Sequence, residues 1–437
     1  MPSITVDQQK LVLNAFATIF QNNLVASDAV SWKQYDTELD DKNGLKVSEQ
    51  VTPRYTVTQT TNGVNDLTSS GVQDSVFGSE QFTVNKVFGT SMGWADFVKI
   101  RDIGEARESQ ALRMAAINLA EAVDSYILST IQTASNNWLG NPANGVSTWT
   151  DFVQGYTRLK EEGVDDSNLR GILTYADKQT LGNAIQSLTA PDALVTGAYR
   201  QGFTGEIGGL PVMFTQQLQA FTAGSRAATG AGTVNGANQN SDYKSVAVSG
   251  APGQFMTQLL NIKTSASGTE TVAAGDVFTI AGVYAYDNRS QTSTGRLQQF
   301  TVVTGGTAVS GAVQVRIFPA IVVPNVGSTA ADQKVNTAHA TVDSVPGAAA
   351  ALIWVGTAST VYKPRVILQK DAVVINTAPL IMPATGKAMN KTLTKVPLTF
   401  RMWQHSDFNT GNHSVRFDAA LTANIRDRRR IVRINGN

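Results

Sequence analysis

The feature that most constrains this chain is one long amphipathic segment, RDIGEARESQALRMAAINLAEAVDSYILSTIQTASNN, which begins at Arg101. Its apolar residues recur at spacings of three and four, the period of an α-helix. The residues of this stripe are Leu112, Ala116, Leu119, Val123 and Ile127. Asp102 and Glu105 have the spacing of an N-cap and its reciprocal partner. A helix of about 33 residues spans roughly 50 Å. The segment therefore predicts a spine helix within residues 99–140.

The 45 residues at the start of the chain are predicted to form an N-terminal arm, residues 1–45. Thr5 and Gln8 have the spacing of a capping box, which indicates the start of a short helix. The residues on its apolar face at helical spacing are Val12, Phe16, Ile19 and Phe20. The polar stretch YDTELDDKNG that follows is typical of a loop.

Residues 46–98 favour a long β-hairpin with further strands. VTPRYTVTQTTNGVND alternates in polarity and contains Asn62-Gly63, a dipeptide preferred in two-residue hairpin turns. The hairpin is rich in Thr, Ser, Asn and Gly, and a two-stranded ribbon alone is marginally stable in water. We expect it to lie on this chain's core or on another chain. Arg54 and Tyr55 are its expected contact residues, because Arg and Tyr are favoured at interfaces.

The second half of the chain changes pattern twice. Residues 141–221 alternate helical and strand patterns, which favours an α/β layer. Residues 222–355 contain short β-branched and aromatic stretches between Gly-, Ala- and Ser-rich segments, and they predict a small β-barrel or sandwich inserted into a host domain. Its strand-like stretches are SVAVSG, FMTQLL, DVFTIAG, QQFTVV and VQVRIFPAIVV. Residues 356–437 return to the earlier sheet pattern.

The charge composition argues against strong electrostatic steering. The 437 residues contain 35 Lys and Arg and 34 Asp and Glu, for a formal net charge of +1. Such a balance gives no strong field towards nucleic acid or an anionic membrane. Charged residues make up 16% of the chain, below the roughly 25% of ordinary soluble domains. This depletion fits β-rich structure, and it equally fits a subunit whose surface is covered by neighbours.

Several chemistries are disfavoured by residue type. The chain has no cysteine, so disulfides and thiolate chemistry are excluded. The start MPSITVDQQK lacks the pattern of a signal peptide. The longest apolar run, Ala348 to Val355, is too short to span a bilayer. We expect no membrane association and a cytoplasm-like compartment.

The histidines and glycines do not form a recognisable catalytic motif. His339 lies in a low-complexity stretch. His405 and His413 are eight residues apart, and no G-x-S-x-G elbow accompanies them, so packed or solvated histidines are favoured over a catalytic triad. The stretch GAGTVNG, residues 230–236, is one residue off the dinucleotide fingerprint and lacks the strand and helix that the fingerprint requires.

One acidic stretch has partial calcium-loop spacing. Asp36, Glu38 and Asp40 stand at alternate positions, as in an EF-hand loop. Asp41 occupies the position where the turn requires Gly, and Val47 occupies that of the bidentate Glu. A charged surface loop is the favoured interpretation. We expect no catalytic residue, no cofactor and no metal site in the chain.

The C-terminal RDRRRIVRI is the one basic cluster of the sequence, and it leaves three interpretations open. The side chains could contact phosphates, pair with carboxylates of a neighbouring subunit, or lie in solvent at a strand end. The arginines concerned are Arg426, Arg428, Arg429, Arg430 and Arg433.

The order of parts resembles that of the major capsid protein of tailed bacteriophages, the Hong Kong 97 fold. That order is an arm, a hairpin, a spine helix, an α/β layer, an inserted β-domain and return strands. FTGEIGGLPVMFTQQLQAF and RVILQKDAVVINTAPLI resemble the segments that flank the inserted barrel in coat proteins of the Salmonella short-tailed phage type. GDVFTIAGVYAYDN and QQFTVV resemble strands of that barrel. The resemblance implies an α+β fold. In it, residues 46–98 are the extended loop and peripheral strands, residues 141–221 are the first part of the axial domain, and an all-β barrel domain is inserted.

The resemblance also implies a function. The expected protein is a major capsid protein, without enzyme activity, that self-assembles in many copies into an icosahedral shell enclosing phage DNA. The expected partners are other coat subunits, a scaffolding protein, a portal and non-specifically bound double-stranded DNA. The expected location is the virion, after synthesis and assembly in the bacterial host cytoplasm.

Two alternatives remain at this point. An encapsulin-like nanocompartment shell belongs to the same structural class, but the inserted barrel counts against it. A β-rich carbohydrate-binding protein or hydrolase belongs to another class, and the chain shows neither the clustered aromatics nor the carboxylate pairs that it would need.

Overall fold

The computed structural model describes most of the chain, and it divides into two units. The described residues are 6–37, 39, 44–57, 72–93, 110–186, 206–207, 210–226, 232–264, 268–384, 387–393, 395–406 and 413–437. Unit 1 consists of Met1–Val47, Phe82–Thr130 and Lys370–Arg426, and unit 2 of Ser48–Gln81, Ile131–Gln369 and Asp427–Asn437.

Strands occur in runs between a few helices along the described residues, so the fold is of the α+β class, as predicted. The helices are α1 (Val6–Asn23), α2 (Gln110–Ala134), α3 (Trp149–Glu161), α4 (Tyr175–Gln186), α5 (Tyr243–Val246) and α6 (Ala330–Ala338). The first twelve strands are β1 (Ser31–Gln34), β2 (Leu45–Val51), β3 (Gly78–Val84), β4 (Val87–Gly93), β5 (Asn137–Leu139), β6 (Leu169–Leu173), β7 (Glu206–Ile207), β8 (Leu210–Phe214), β9 (Phe221–Thr222), β10 (Thr233–Val234), β11 (Gln258–Lys263) and β12 (Thr271–Val272). The others are β13 (Val277–Asp287), β14 (Thr292–Thr304), β15 (Gly306–Thr307), β16 (Ala312–Phe318), β17 (Leu352–Trp354), β18 (Val361–Tyr362), β19 (Arg365–Gln369), β20 (Val373–Ala378), β21 (Lys387–Thr392), β22 (Thr399–Ser406), β23 (His413–Ile425) and β24 (Ile431–Ile434).

Unit 1 is built on a six-stranded sheet with α1 packed against it. The strand order is β1-β20-β23-β22-β21, and β4 also pairs with β23. The apolar face of α1 meets this sheet through aromatic rings: Phe16 stacks on Phe417 at 4.0 Å between ring centroids, and Phe20 meets Phe400 edge-on at 4.8 Å. The predicted helix of the arm is confirmed. Its proposed cap, Thr5, lies outside the described residues.

Helix α2 is the predicted spine, and its apolar stripe is buried. All five residues of the stripe, from Leu112 to Ile127, are at most 4% exposed. The helix ends at Ala134, and Asn137–Leu139 form β5 in parallel with β24. The helix therefore ends six residues before the end of the segment 99–140 in which it was predicted, because the chain leaves it to join a sheet. The proposed caps Asp102 and Glu105 lie outside the described residues.

Asp124 on α2 fixes the turn that follows α1. The N–H groups of Val25 and Ala26 donate to its two carboxylate oxygens at 2.7 and 3.2 Å. The carboxylate is buried, and burial raises its pKa to about 6, although both hydrogen bonds act in the opposite direction. A helix residue thus replaces water as the partner of two backbone donors that lie about a hundred residues earlier in the chain.

Unit 2 contains a mixed sheet covered by α3. Its strand order is β5-β24-β19-β6-β8-β7. Thr148 caps α3 by accepting from the N–H of Asp151 at 3.2 Å, and the Asp151 carboxylate completes the capping box. Phe152 and Leu159 of α3 are buried in the same cluster as residues of β19 and β24. The helix and strand pattern predicted within residues 141–221 is present as α3, β6, α4 and β8, while the bounds of this part of the chain remain a prediction.

The predicted β-rich insert also lies in unit 2, and its sheet closes on itself. The strand order is β10-β11-β16-β14-β13-β17, and every pairing along it is antiparallel. The edges are joined, since the Val234 N–H donates to the Ala350 carbonyl at 2.9 Å and the Leu352 N–H to that of Gly232 at 2.8 Å. Phe278 and Phe300, both fully buried, lie inside the closed sheet. Closure leaves no open sheet edge between its first and last strands.

The two ends of the insert are held side by side. Strand β9 pairs antiparallel with β18, with Phe221 opposite Tyr362. The Ala223 N–H donates to the Thr360 carbonyl at 3.0 Å, which extends this pairing by one residue. A segment that leaves and rejoins its host at adjacent strands has the geometry expected of an insertion. The boundaries 222 and 355 remain a prediction.

Candidate assembly surface at the hairpin

The predicted hairpin is observed at its base as a two-stranded ribbon, β2 paired with β3. Beyond the strands, the legs of the ribbon, residues 52–57 and 72–77, are joined through one side chain. The amide of Gln73 donates to the Arg54 carbonyl at 2.6 Å and accepts from the Thr56 N–H at 2.8 Å. The Gln73 amide thus forms the donor and acceptor hydrogen bonds that a backbone peptide group would form between paired strands. The predicted turn Asn62-Gly63 lies outside the described residues.

The legs carry large apolar side chains that this chain leaves exposed. Val57 and Val72 are 85% and 71% exposed, and Tyr55 and Phe77 are each more than half exposed. Tyr55 is also tied across the ribbon, with its hydroxyl 2.8 Å from that of Ser75. Four such side chains on two short legs form an apolar surface, and surfaces of this kind mark sites of protein contact.

The base of the ribbon is bound to the insert within the same chain. We call residues 243–256 the docking segment. The Ser79 N–H donates to the Ala247 carbonyl at 2.8 Å, and the Ser249 N–H donates to the Ser79 carbonyl at 2.9 Å. Gly78 is required there, because a Cβ would lie 2.7 Å from the ring of Phe255.

Glu80 completes this attachment. Its two carboxylate oxygens accept from the N–H groups of Gly253 at 2.8 Å and Phe255 at 3.1 Å. The side chain is 3% exposed, and burial raises its pKa to about 7 against the opposing effects of both hydrogen bonds and of Arg428. No feature of the local sequence distinguished Glu80, because its partners lie more than 170 residues away.

The legs are attached to the insert as well. Lys244 is paired with Asp74 at 2.8 Å and with Asp332 of α6 at 2.5 Å. The Arg54 N–H donates to Nε2 of His339 at 3.2 Å. Burial, with the nearby charges of Arg429 and Arg54, lowers the His339 pKa to about 4, so the ring is a neutral acceptor at pH 7. His339 is therefore a structural residue. The sequence favoured packed or solvated histidines, and His339 is packed.

Two of the C-terminal arginines are buried, which corrects their assignment to a DNA or intersubunit surface. Arg433 is fully buried, donates to the Gly275 carbonyl at 2.7 Å and lies 4.8 Å from the ring centroid of Trp138. Arg428 is 8% exposed and donates to backbone carbonyls that include Ala134. Burial lowers their pKa values to about 9 and 10. These guanidinium groups face the chain's own interior, so they are unavailable to phosphate.

The other arginines of the cluster are not gathered into one basic face. Arg429 and Arg430 are about two-fifths exposed and share one acceptor, Asp427, at 3.1 and 3.3 Å. Both line a cleft of about 370 Å³ in unit 2. Five arginines and five carboxylates line that cleft, so its fixed charge is balanced. Their role in intersubunit or phosphate contact remains a prediction. Arg426 belongs to unit 1.

Among the described residues, the remaining sequence candidates are not gathered into a site. His405 lies edge-on to Trp403 at 5.8 Å between ring centroids. Glu38, Asp40 and Gly230 lie outside the described residues. Within the described ranges no group of three or more His, Asp or Glu side chains is placed to hold a metal ion. Among the same residues, no helix is both long and apolar enough to cross a membrane.

Comparison with protein families gives the class, bacteriophage coat proteins. The model of the family described as "P22 coat protein - gene protein 5" matches residues 1–429. The chain therefore belongs to the P22 coat protein family, which is a family of structural capsid proteins. It is also similar to a major capsid protein of Acyrthosiphon pisum secondary endosymbiont phage 1, with 23% identity over 94% of this chain and 93% of that protein.

The chain also matches solved structures at low sequence identity. The capsid of Ralstonia phage GP4 matches 96% of this chain and 91% of its own, with 7% identity and a TM-score of 0.43. The coat protein I-domain of CUS-3 matches 29% of this chain and 94% of its own, with 23% identity and a TM-score of 0.20.

Proposed function

We propose that this coat protein assembles in many copies into an icosahedral shell of the Hong Kong 97 type around phage DNA. The family match over nearly the whole chain supports the class. The observation that carries the assembly proposal is the apolar surface of the legs. Val57 and Val72 are the two most exposed valines in the described part of the ribbon, and a shell subunit buries such surface against its neighbours.

The contact proposed for the ribbon is with a neighbouring copy. Tyr55 supplies an exposed ring whose hydroxyl is already partnered, so it can be covered without leaving a donor unsatisfied. Arg54 is exposed, is anchored through its backbone to His339 and lines the cleft that contains Arg429; it is retained as a proposed contact residue. Asn62 and Gly63 are retained as proposed contact residues at the turn.

The other partners follow from the same proposal. A scaffolding protein and a portal would act during assembly, and double-stranded DNA would be enclosed without sequence recognition. The balanced cleft around Arg429 and Arg430 favours pairing with carboxylates over phosphate binding. Assembly would take place in the bacterial host cytoplasm, and no enzyme activity is proposed.

A matched pair of double variants tests the assembly proposal. Val57→Ser/Val72→Ser removes apolar surface from the legs. Val309→Ser/Val361→Ser makes the same change at two valines of unit 2 that are 75% and 59% exposed outside the ribbon. All four side chains are exposed, so both variants should keep the wild-type circular dichroism and melting temperature.

Sedimentation and electron microscopy of the expressed protein give the result. The wild type and the Val309/Val361 variant should form closed shells, and the Val57/Val72 variant should remain as free subunits or form fragile shells. Normal shells from the Val57/Val72 variant would show that the legs are not a subunit contact. Failure of the wild type to form particles, alone or with its phage neighbours, would contradict the function itself.

A further inference from the structure

The sequence left open whether the hairpin lies on its own chain or on another, and the base of the ribbon is ordered by its own chain. The Ser79 backbone exchanges two hydrogen bonds with the docking segment, and Glu80 accepts two more. Val76 packs into the cluster of Tyr243, Met256 and Phe318. The base of the ribbon is thus held by backbone, carboxylate and apolar contacts together.

The docking segment is itself held in place by contacts with α6 and His339. The Tyr243 ring stacks on that of His339 at 3.6 Å between centroids. The Tyr243 N–H donates to Oδ1 of Asn336 at 2.8 Å, which joins the docking segment to α6. Both legs therefore contact the docking segment or the neighbouring residues at the end of α6. Arg54 does so through His339, and Asp74 does so through Lys244.

Glu80 is the charged group in this attachment that is almost fully buried. Its donors belong to Gly253 and Phe255, residues that are only partly buried, so we expect water to replace the carboxylate if it is removed. The loss of Glu80 should therefore release the loop at residues 253–255 without leaving two donors stranded in a dry core.

We propose that Glu80 is a positioning residue that fixes the base of the ribbon on the docking segment, so that the insert sets the direction in which the legs meet a neighbouring copy. This inference rests on the proposed function, since it concerns the same ribbon. The insert then acts in assembly through its own chain, by presenting the ribbon.

The test compares full-length subunits before assembly. Glu80→Ala removes both acceptors, Glu80→Gln keeps one oxygen and the shape, and Glu121→Ala is the control at an exposed glutamate of α2. The rate of amide hydrogen exchange at Gly253 and Phe255, measured by mass spectrometry, should increase about tenfold or more in Glu80→Ala. The increase should be smaller in Glu80→Gln, and Glu121→Ala should match the wild type.

Assembly of the same proteins provides the second measurement, one that a merely structural role would not change in a folded subunit. The yield of closed shells should fall in the order wild type, Glu80→Gln, Glu80→Ala, while melting of the three subunits stays similar. Unchanged exchange at residues 253 and 255, or normal shells despite faster exchange, would overturn the inference. Loss of folding in both Glu80 variants would overturn it too, by showing that Glu80 holds the fold. Because the wild type must form shells in the same assay, a failure of the proposed function is seen separately.

Discussion

Two buried carboxylates, one in each unit, make the same contact with different consequences. Asp124 of unit 1 and Glu80 of unit 2 each accept from two backbone N–H groups that are distant in the sequence. In both cases burial raises the pKa, to about 6 and about 7. Each carboxylate thus acts as a bridge between segments that the chain does not join locally.

The difference lies in what surrounds the donors. Ala26, one partner of Asp124, is 2% exposed and the other, Val25, is 39% exposed, whereas Gly253 and Phe255 are both partly buried. Arg428 lies close enough to Glu80 to favour its charged form, and among the described residues no cation does the same for Asp124. The comparison teaches that removal of such a carboxylate costs most where it strands a fully buried donor, as at Ala26. Neither donor of Glu80 belongs to a fully buried residue.

The largest effect is expected from a carboxylate placed on α2 without such donors. Leu119→Asp puts a charge into the apolar stripe, where Leu119 is 4% exposed. The cost of burying an unpaired charge is several kcal/mol, comparable to the whole stability of many domains. We expect insoluble or unfolded chains by circular dichroism and size-exclusion chromatography.

The control for this change lies on the same helix. Met114 is 54% exposed, so Met114→Asp should give soluble subunits with nearly wild-type melting. If Leu119→Asp also gave soluble, assembly-competent subunits, the stripe would not be buried as described. A buried carboxylate on α2 would then not need backbone donors such as those of Asp124.

A smaller but global loss is expected from Asp124→Ala. Two donors lose their acceptor, one of them buried, which costs about 1–3 kcal/mol for a buried unsatisfied group. Urea unfolding should show this loss relative to Glu121→Ala. Glu80→Ala should lose less, since water replaces its carboxylate. If Glu80→Ala and Asp124→Ala lowered the free energy of unfolding equally, the two carboxylates would not differ in their importance for folding.

The pH dependence of stability provides a third comparison. For Asp124 and Glu80 the folded pKa lies above the ordinary value, so their contribution is complete at low pH and is lost as pH rises through about 6 and 7. His339 opposes them, because its folded pKa of about 4 means that its contribution is lost as pH falls below 6.5. The titrating carboxylate of Glu80 faces Arg428 and two N–H groups.

Urea unfolding at pH 5 and pH 8 measures the effect. The gain in the free energy of unfolding from pH 8 to pH 5 should be smaller in Glu80→Gln than in wild type, by on the order of 1–2 kcal/mol. Glu121→Gln should keep the wild-type gain. An identical gain in Glu80→Gln would mean that Glu80 titrates normally and is not buried in solution.

The smallest effect is expected where a carboxylate is paired near the surface. Asp427 pairs with Arg429 and Arg430, whose side chains are about two-fifths exposed. Arg429→Ala should change the free energy of unfolding by no more than about 0.5 kcal/mol. Arg433→Ala, at a fully buried guanidinium, should cost several times more in the same urea titration. A large loss in Arg429→Ala would place that side chain in the interior with Arg433.

Local patterns in the sequence were enough to predict local structure. The stripe from Leu112 to Ile127 has the period of a helix, and burial of such a stripe follows from hydrophobicity alone. The strand character of most of residues 222–355 was predicted in the same way, because β-branched and aromatic residues between turn residues favour strands wherever they occur. SVAVSG was wrongly predicted as a strand, since Tyr243–Val246 form α5, and α6 was not predicted. The end of α2 was missed, because Asn137–Leu139 form a strand only by pairing with β24.

Only the tertiary structure decided which charges are buried and what they hold. Arg428, Arg429 and Arg433 look alike in RDRRRIVRI, yet the Arg433 side chain is fully buried and that of Arg429 is about two-fifths exposed. The residues next to Glu80 and Asp124 in the sequence do not indicate that these carboxylates are buried, since their partners lie about 100 to 175 residues away in the chain. The sequence determines the periodicity of each element on its own. Burial, and the pKa shifts that follow from it, depend on which distant segments pack around a side chain.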